Sequence, residues 1–277
     1  MKLPDPALLV KQAALPPRSH LQQVLVAELE RLGTLPVATP MPQKGRGIPG
    51  LFEMTLRNQA LRLGGAVIAE YKQASPSLGP FAAGTPLLPQ LEAYVRGGAA
   101  AFSILAEPAY FRGSAQHLQA ARSLGVPLLY KGFVISEAQL AEAELAGADA
   151  VLLIVRVLRE HTASFAKVAR ARGLEPLIEL HDLTEVPMAQ AAGARLVGIN
   201  ARDLATFTLG EPTAGALRQA FPEALLIRES GLATPEDACR ALHAGFDAVL
   251  IGEALMRSVD PADFLQRIFQ GLRAPVA

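Results

Sequence analysis

The feature that most constrains this chain is a beat. From about residue 64 onward, short runs rich in Val, Ile, Leu and Ala alternate with amphipathic stretches of helical length. The runs lie at 66–70, 99–105, 127–131, 148–155, 174–179, 195–200, 224–229 and 247–251. Eight runs at a spacing of roughly 20–30 residues read as eight βα units. They are almost continuously apolar, as parallel strands covered on both faces must be. Local repeats agree. Ala146-Gly147-Ala148-Asp149-Ala150-Val151-Leu152 is echoed by Ala244-Gly245-Phe246-Asp247-Ala248-Val249-Leu250, and more loosely by Ala192-Gly193-Ala194-Arg195-Leu196-Val197. In each, a Gly ends a helix and the chain turns into a strand. The expected fold is α/β, a (β/α)8 TIM barrel with an N-terminal helical extension. An open doubly wound sheet is the alternative, but no G-x-G-x-x-G follows the first run.

The chain of 277 residues is expected to form a single domain, with 1–63 as the extension and 64–277 as the barrel. Within the extension, Leu21, Val24, Leu25, Leu29 and Leu32 recur at helical spacing, so a helix is expected over 20–32. The Pro- and Gly-rich stretch 35–49 reads as a connector. The extension either covers the barrel mouth or caps its bottom.

Composition excludes several classes. The formal net charge is zero, with no basic stripe, which argues against nucleic acid as a partner. No run is long enough to span a membrane, and the N-terminus lacks the pattern of a signal peptide. The single Cys239 excludes an intrachain disulfide and a cysteine zinc cluster, so a cytoplasmic location is expected.

The site of such a barrel lies at the C-terminal ends of its strands. Polar residues at those ends are Glu70 and Lys72, Lys131, Glu179, Asn200 and Arg202, and Glu229 and Ser230. The chain is rich in Arg and poor in Lys. A Lys kept at the edge of a buried strand therefore suggests chemistry that a guanidinium cannot do, since burial can tune an ammonium to release a proton. No His or Cys cluster suits a metal, and no G-x-S-x-G elbow occurs. The set points to acid–base chemistry by Lys and Glu. After the seventh and eighth runs come Glu229-Ser230-Gly231 and Gly252-Glu253, small residues that let backbone N–H groups face an anion. Ser75 and Ser77 follow the first run and could add hydroxyls. His181 and Cys239 read as structural.

Taken together, these segments resemble the indole-3-glycerol phosphate synthase family. The likeness rests on Ile68-Ala69-Glu70-Tyr71-Lys72-Gln73-Ala74-Ser75-Pro76-Ser77, Leu128-Leu129-Tyr130-Lys131-Gly132-Phe133, Ile178-Glu179-Leu180-His181, Gly198-Ile199-Asn200-Ala201-Arg202-Asp203-Leu204, Glu229-Ser230-Gly231 and Leu250-Ile251-Gly252-Glu253-Ala254-Leu255-Met256. The resemblance implies ring closure, decarboxylation and dehydration of 1-(2-carboxyphenylamino)-1-deoxyribulose 5-phosphate. It implies Lys131 as the acid of ring closure, Lys72 at the substrate carboxylate, and Glu179 and Glu70 as acid–base partners. Phe133, Asn200, Arg202, Glu229 and Ser230 would hold the substrate; Ser75, Gly231, Gly252 and Glu253 would hold its phosphate. No cofactor is implied, and the chain is expected to be a monomer or weak homo-oligomer. Another phosphosugar barrel, such as phosphoribosylanthranilate isomerase, and a non-catalytic phosphate-ligand barrel are the alternatives.

The chain also departs from the family pattern. Gly132 stands where the family usually has Asp, which is expected to loosen the loop and change how Lys131 is held. Leu78 replaces a basic residue. Arg156 replaces a small or apolar one, and is expected to fill electrostatic space near Lys131.

Overall fold

A computed structural model of the chain describes residues 3–13, 15–16, 19–35, 48–200 and 213–273. Eight parallel strands close into a barrel. They are β1 (Ala66–Tyr71), β2 (Ala101–Leu105), β3 (Leu128–Lys131), β4 (Ala150–Ile154), β5 (Glu175–Leu180), β6 (Leu196–Ile199), β7 (Leu225–Arg228) and β8 (Ala248–Ile251). Each pairs with its chain neighbour, and β1 closes the ring by pairing with β8, Ala66 opposite Ala248. Every apolar run thus became a strand, within two residues at each end. The largest trimming falls on 148–155, where Val155 opens a short helix, Val155–Leu158.

The repeats have a physical cause. Asp149 accepts a hydrogen bond from the N–H of Leu128 (2.9 Å), and Asp247 accepts one from Leu226 (2.7 Å). Each Asp ties the start of its own strand to the start of the preceding one, which sets the register. The third copy carries Arg195 instead, and its guanidinium pairs with Glu53 of the extension (2.7 Å).

The extension contains α1 (Pro6–Gln12), α2 (His20–Leu32) and α3 (Leu51–Leu63). Only α2 was marked by clear periodicity, and it spans the expected residues. Its inward face is Leu21, Val24, Leu25 and Glu28, the i, i+3, i+4, i+7 set of one helix side. The connector expected over 35–49 falls mostly outside the described residues. Helix α3 lies across the N-terminal end of the barrel. Glu175, at the start of β5, accepts from the N–H groups of Phe52 (2.8 Å) and Glu53 (3.0 Å), which otherwise have no partner in the first turn of a helix. Gln59 bonds to Val67 and Gly98 at the same end. Helix α2 instead reaches the mouth, so the one extension serves both ends. Among the described residues, no helix is long and apolar enough to cross a membrane.

Candidate active site

A cavity of about 690 Å³ opens at the C-terminal ends of the strands. Strand geometry explains its lining, because alternate residues of a strand share one face. The inward set is Glu70 and Lys72 from β1, Ser103 and Leu105 from β2, Lys131 from β3, and Leu152 and Ile154 from β4. It continues with Glu179 from β5, Asn200 after β6, Glu229 after β7, and Leu250 and Gly252 from β8. Apart from Ser103, which lies one step deeper, all of these border the cavity.

Two ion-paired groups face each other in it. Lys72 Nζ lies 2.8 Å from Glu70 Oε1, and Ser103 Oγ donates to Glu70 Oε2 at 3.2 Å. The pairing follows from register, since Glu70 and Ser103 are opposite one another on β1 and β2. Lys131 Nζ makes a very short contact with Glu229 Oε2 and lies 3.4 Å from Glu179 Oε2. Glu229 reaches Lys131 across Gly198 of β6, and a Cβ at that position would collide with the Glu229 carboxylate. Likewise a Cβ at Gly252 would collide with the Glu70 carboxylate and press on Lys72 Nζ at 3.0 Å. Both glycines are therefore spaces that charged side chains occupy.

Burial and mutual charge set the protonation states. Burial opposes the charge of Glu70, but Lys72, Lys131 and the Ser103 hydroxyl outweigh it and hold the carboxyl below its ordinary value. Burial also opposes the charge of Lys131, but Glu229, Glu179 and Glu70 outweigh it and hold the ammonium above its ordinary range. Glu229 is pushed up to about 8, by burial first; the neighbouring Lys131 lowers it and Glu179 raises it. At neutral pH a proton therefore sits between Lys131 and Glu229.

The remaining wall is apolar and partly contributed by the extension. Leu21 and Val24 of α2 border the cavity with Phe111 and Phe133, whose ring centroids are 5.7 Å apart. The rest of the rim is formed by Ser75, Pro76 and Ser77, the stretches 230–233 and 252–254, and Arg257. Ser75 and Ser77 lie at a tight turn closed by the pairing of Ala74–Ser75 with Gly79–Pro80, and their hydroxyls are 3.4 Å apart. Gly231 has a φ of +77°, the left-handed conformation that glycine adopts without strain. Glu253 opens the helix Glu253–Arg257 and pairs with Arg257 at 3.1 Å, so its side chain answers to that helix.

Of the residues singled out in the sequence, Glu70, Lys72, Ser75, Lys131, Phe133, Glu179, Asn200, Glu229, Ser230, Gly231, Gly252 and Glu253 all border this cavity. Arg202 lies outside the described residues. One expectation needs correction. Arg156 is not in this cavity. It pairs with Asp182 (3.0 Å) and Glu185 (3.2 Å) and borders a second cavity of about 470 Å³ beneath the extension. Beside Gly132, where the family's Asp is missing, Lys131 is held by Glu229 and Glu179. A Cβ at Gly132 would stand 2.9 Å from the Tyr130 ring, whose hydroxyl donates to Glu142 at 2.5 Å.

The sequence reading missed Ser103, Gly198, Phe111, Leu21 and Val24. Ser103 was findable, as the one polar residue in Ala101-Phe102-Ser103-Ile104-Leu105. Phe111 and the α2 residues carried no local mark.

The family model described as indole-3-glycerol phosphate synthase matches residues 46–268. This chain belongs to that family. An indole-3-glycerol phosphate synthase of Lactiplantibacillus plantarum is 40% identical over 261 residues, covering 91% of this chain and 99% of the relative. One from Chloroherpeton thalassium is 41% identical, covering 76% and 82%. A solved thiamine phosphate pyrophosphorylase from Pyrococcus furiosus shares the fold, with a TM-score of 0.54 at 16% identity, over 76% of this chain and 97% of that one. Membership of the indole-3-glycerol phosphate synthase family fits a cavity with two lysines, an apolar wall and glycine-rich turns.

Proposed function

We propose that this chain is the carboxy-lyase of tryptophan synthesis that closes the indole ring. It converts 1-(2-carboxyphenylamino)-1-deoxyribulose 5-phosphate into indole-3-glycerol phosphate, releasing carbon dioxide and water. The observation that carries this reading is the pair of buried, carboxylate-held lysines in one cavity with an apolar wall and glycine-rich turns.

In this reading the aryl ring lies against Leu21, Val24, Phe111 and Phe133. The phosphate lies at Ser75, Gly231, Gly252 and the N–H of Glu253, near the start of a helix. Lys131 donates a proton to the ketone oxygen as the aryl carbon bonds to the carbonyl carbon. Lys72 holds the substrate carboxylate, which leaves as carbon dioxide when its bonding pair restores the aromatic ring. The new hydroxyl then departs as water, with Glu179 and Glu70 managing the protons and Lys72 placed to supply one. Asn200, Arg202, Glu229 and Ser230 orient the substrate.

We also read 1–277 as one domain, 1–63 being the extension and 64–277 the barrel. We read it as a cytoplasmic monomer or weak homo-oligomer that does not bind nucleic acid. The lone Cys239 and the zero net charge support this. Molecular mass in solution tests the oligomeric part.

The direct test is incubation with the deoxyribulose phosphate while indole fluorescence is recorded. The chain has no Trp, so its own signal is low. A rising signal that Lys131→Ala reduces by about 10²–10⁴-fold is the expected result. Binding of the compound without product would leave a ligand-binding barrel and discard the lyase.

A further inference from the structure

His181 is a buried titratable group that the mechanism above does not use. Its side chain is 2% exposed, and among the described residues neither ring nitrogen has a hydrogen-bond partner within ordinary distance. A buried polar group in that condition calls for an explanation.

Its surroundings supply one. Nε2 faces Glu179 Oε1 at 3.5 Å, and Nδ1 faces Glu185 Oε2 at 3.9 Å. Glu185 Oε2 already accepts the backbone N–H of His181 at 2.7 Å, and Glu185 Oε1 pairs with Arg156. Arg156 also pairs with Asp182. The acidic groups behind the ring are thus answered by a guanidinium; Glu185, Glu229 and Asp182 favour a second proton on the imidazole, but burial and the charge of Arg156 outweigh them. A neutral imidazole carries one N–H. Placed on Nδ1, it would lie 3.9 Å from an oxygen that already accepts one hydrogen bond; placed on Nε2, it lies 3.5 Å from Glu179.

We propose that His181 is the positioning residue of Glu179: its Nε2–H donates to Glu179 Oε1 from behind the cavity and keeps Oε2 turned toward Lys131. The gap of 3.5 Å closes with a shift of a few tenths of an ångström, as contacts of this kind tighten once substrate is bound. Burial, and then the charge of Arg156, push the ring down to about 4, consistent with a neutral donor across the physiological range. This role rests on the proposed lyase reading for its kinetic effect, but the state of the ring does not. Arg156, which departs from the family pattern, thereby gains a function at one remove: it neutralises Asp182 and Glu185 so that the imidazole stays a single donor.

The test has two arms on the full-length protein. In the first, ring ¹⁵N–¹H long-range spectra of ¹⁵N-histidine-labelled protein are recorded from pH 6 to 8, with His181→Gln used for assignment. The Nε2–H neutral tautomer is expected. An Nδ1–H tautomer, or an imidazolium at pH 7, overturns the proposal. In the second arm, His181→Leu is expected to lower kcat by about 10-fold or more with KM little changed. His181→Gln, which keeps a donor near the Nε2 position, should recover most of that loss. If Gln falls as far as Leu, or if KM rises while kcat holds, the positioning role is wrong. Should the Leu variant fail to fold, His181→Asn, which moves the donor to the Nδ1 position, takes its place. A wild-type protein without turnover would sink the lyase reading, and the spectra would still decide the ring.

Discussion

Lys131 is held by two carboxylates and Lys72 by one, and this asymmetry shapes what each lysine can do. With Glu229 protonated, Lys131 faces one full negative charge; once Glu229 ionises near 8, it faces two. The second charge strengthens the hold of Lys131 on its proton and makes it a poorer donor. The rate is therefore expected to fall as the pH rises through about 8. Glu229→Gln, which cannot ionise, should move that alkaline limb to higher pH, as a kcat/KM profile would reveal; an unmoved limb would assign it elsewhere. Gly252→Ala is expected to push Glu70 and Lys72 apart and lower kcat/KM by about 10-fold or more, with a stability loss of about 1–3 kcal/mol. Circular dichroism and steady-state kinetics would separate the two effects. The lysines were legible in the sequence because an Arg-rich chain kept them at strand ends. The partnership of Lys131 with Glu229 was not, because it depends on an empty position at Gly198, on a strand that lies between them.

At the level of elements, α2 is fastened to the loop that follows Lys131. Gln139 accepts from the N–H groups of Ile135 (2.8 Å) and Ser136 (3.1 Å) and donates to Phe133 O (3.0 Å) and Glu28 Oε2 (2.7 Å). All four of its hydrogen-bonding positions are used, so the loop carrying Phe133 is fixed from beneath. Arg31 adds a pair with Glu142 at 2.9 Å. The expected loosening by Gly132 is thus offset at Gln139 and Tyr130. Glu28 answers for its position: burial raises it to about 7 despite Arg31. Its folded value lies above its value in the open chain, so its contribution is present below about 4.5 and is lost as pH rises through 7. Glu28→Gln should therefore gain on the wild type between pH 5 and pH 8, by up to about 3 kcal/mol at about 1.4 kcal/mol per unit. Urea unfolding at both pH values measures it; a constant difference would refute the assignment. The sequence showed α2 by its leucines. The same spacing places Glu28 on that face, but its partner Gln139 lies 111 residues away and had no local mark.

For the whole molecule, the barrel was readable because eight similar runs impose one periodicity, and short Asp ties repeat with it. The extension was read only in outline, because its partners are remote in sequence and its two docking ends share no pattern. Removing α1 and α2 while keeping α3 should affect the mouth end. A chain starting at residue 48 loses the burial of Leu21, Val24 and Leu25, worth roughly 5–9 kcal/mol as an upper bound, together with one wall of the cavity. A lower melting temperature and a KM raised by about 10-fold are expected; an unchanged KM would remove α2 from substrate binding. The remote docking also matters while the protein is being made. Glu175, which caps the first turn of α3, follows Phe52 by 123 residues. At about 5–20 residues per second, α3 leaves the ribosome some 6–25 s before its cap exists. During that interval Phe52 and Leu56, fully buried in the finished protein, have no barrel to cover them. The first turn of α3 thus stays without its cap until the fifth strand has emerged, long after the helix itself has been made.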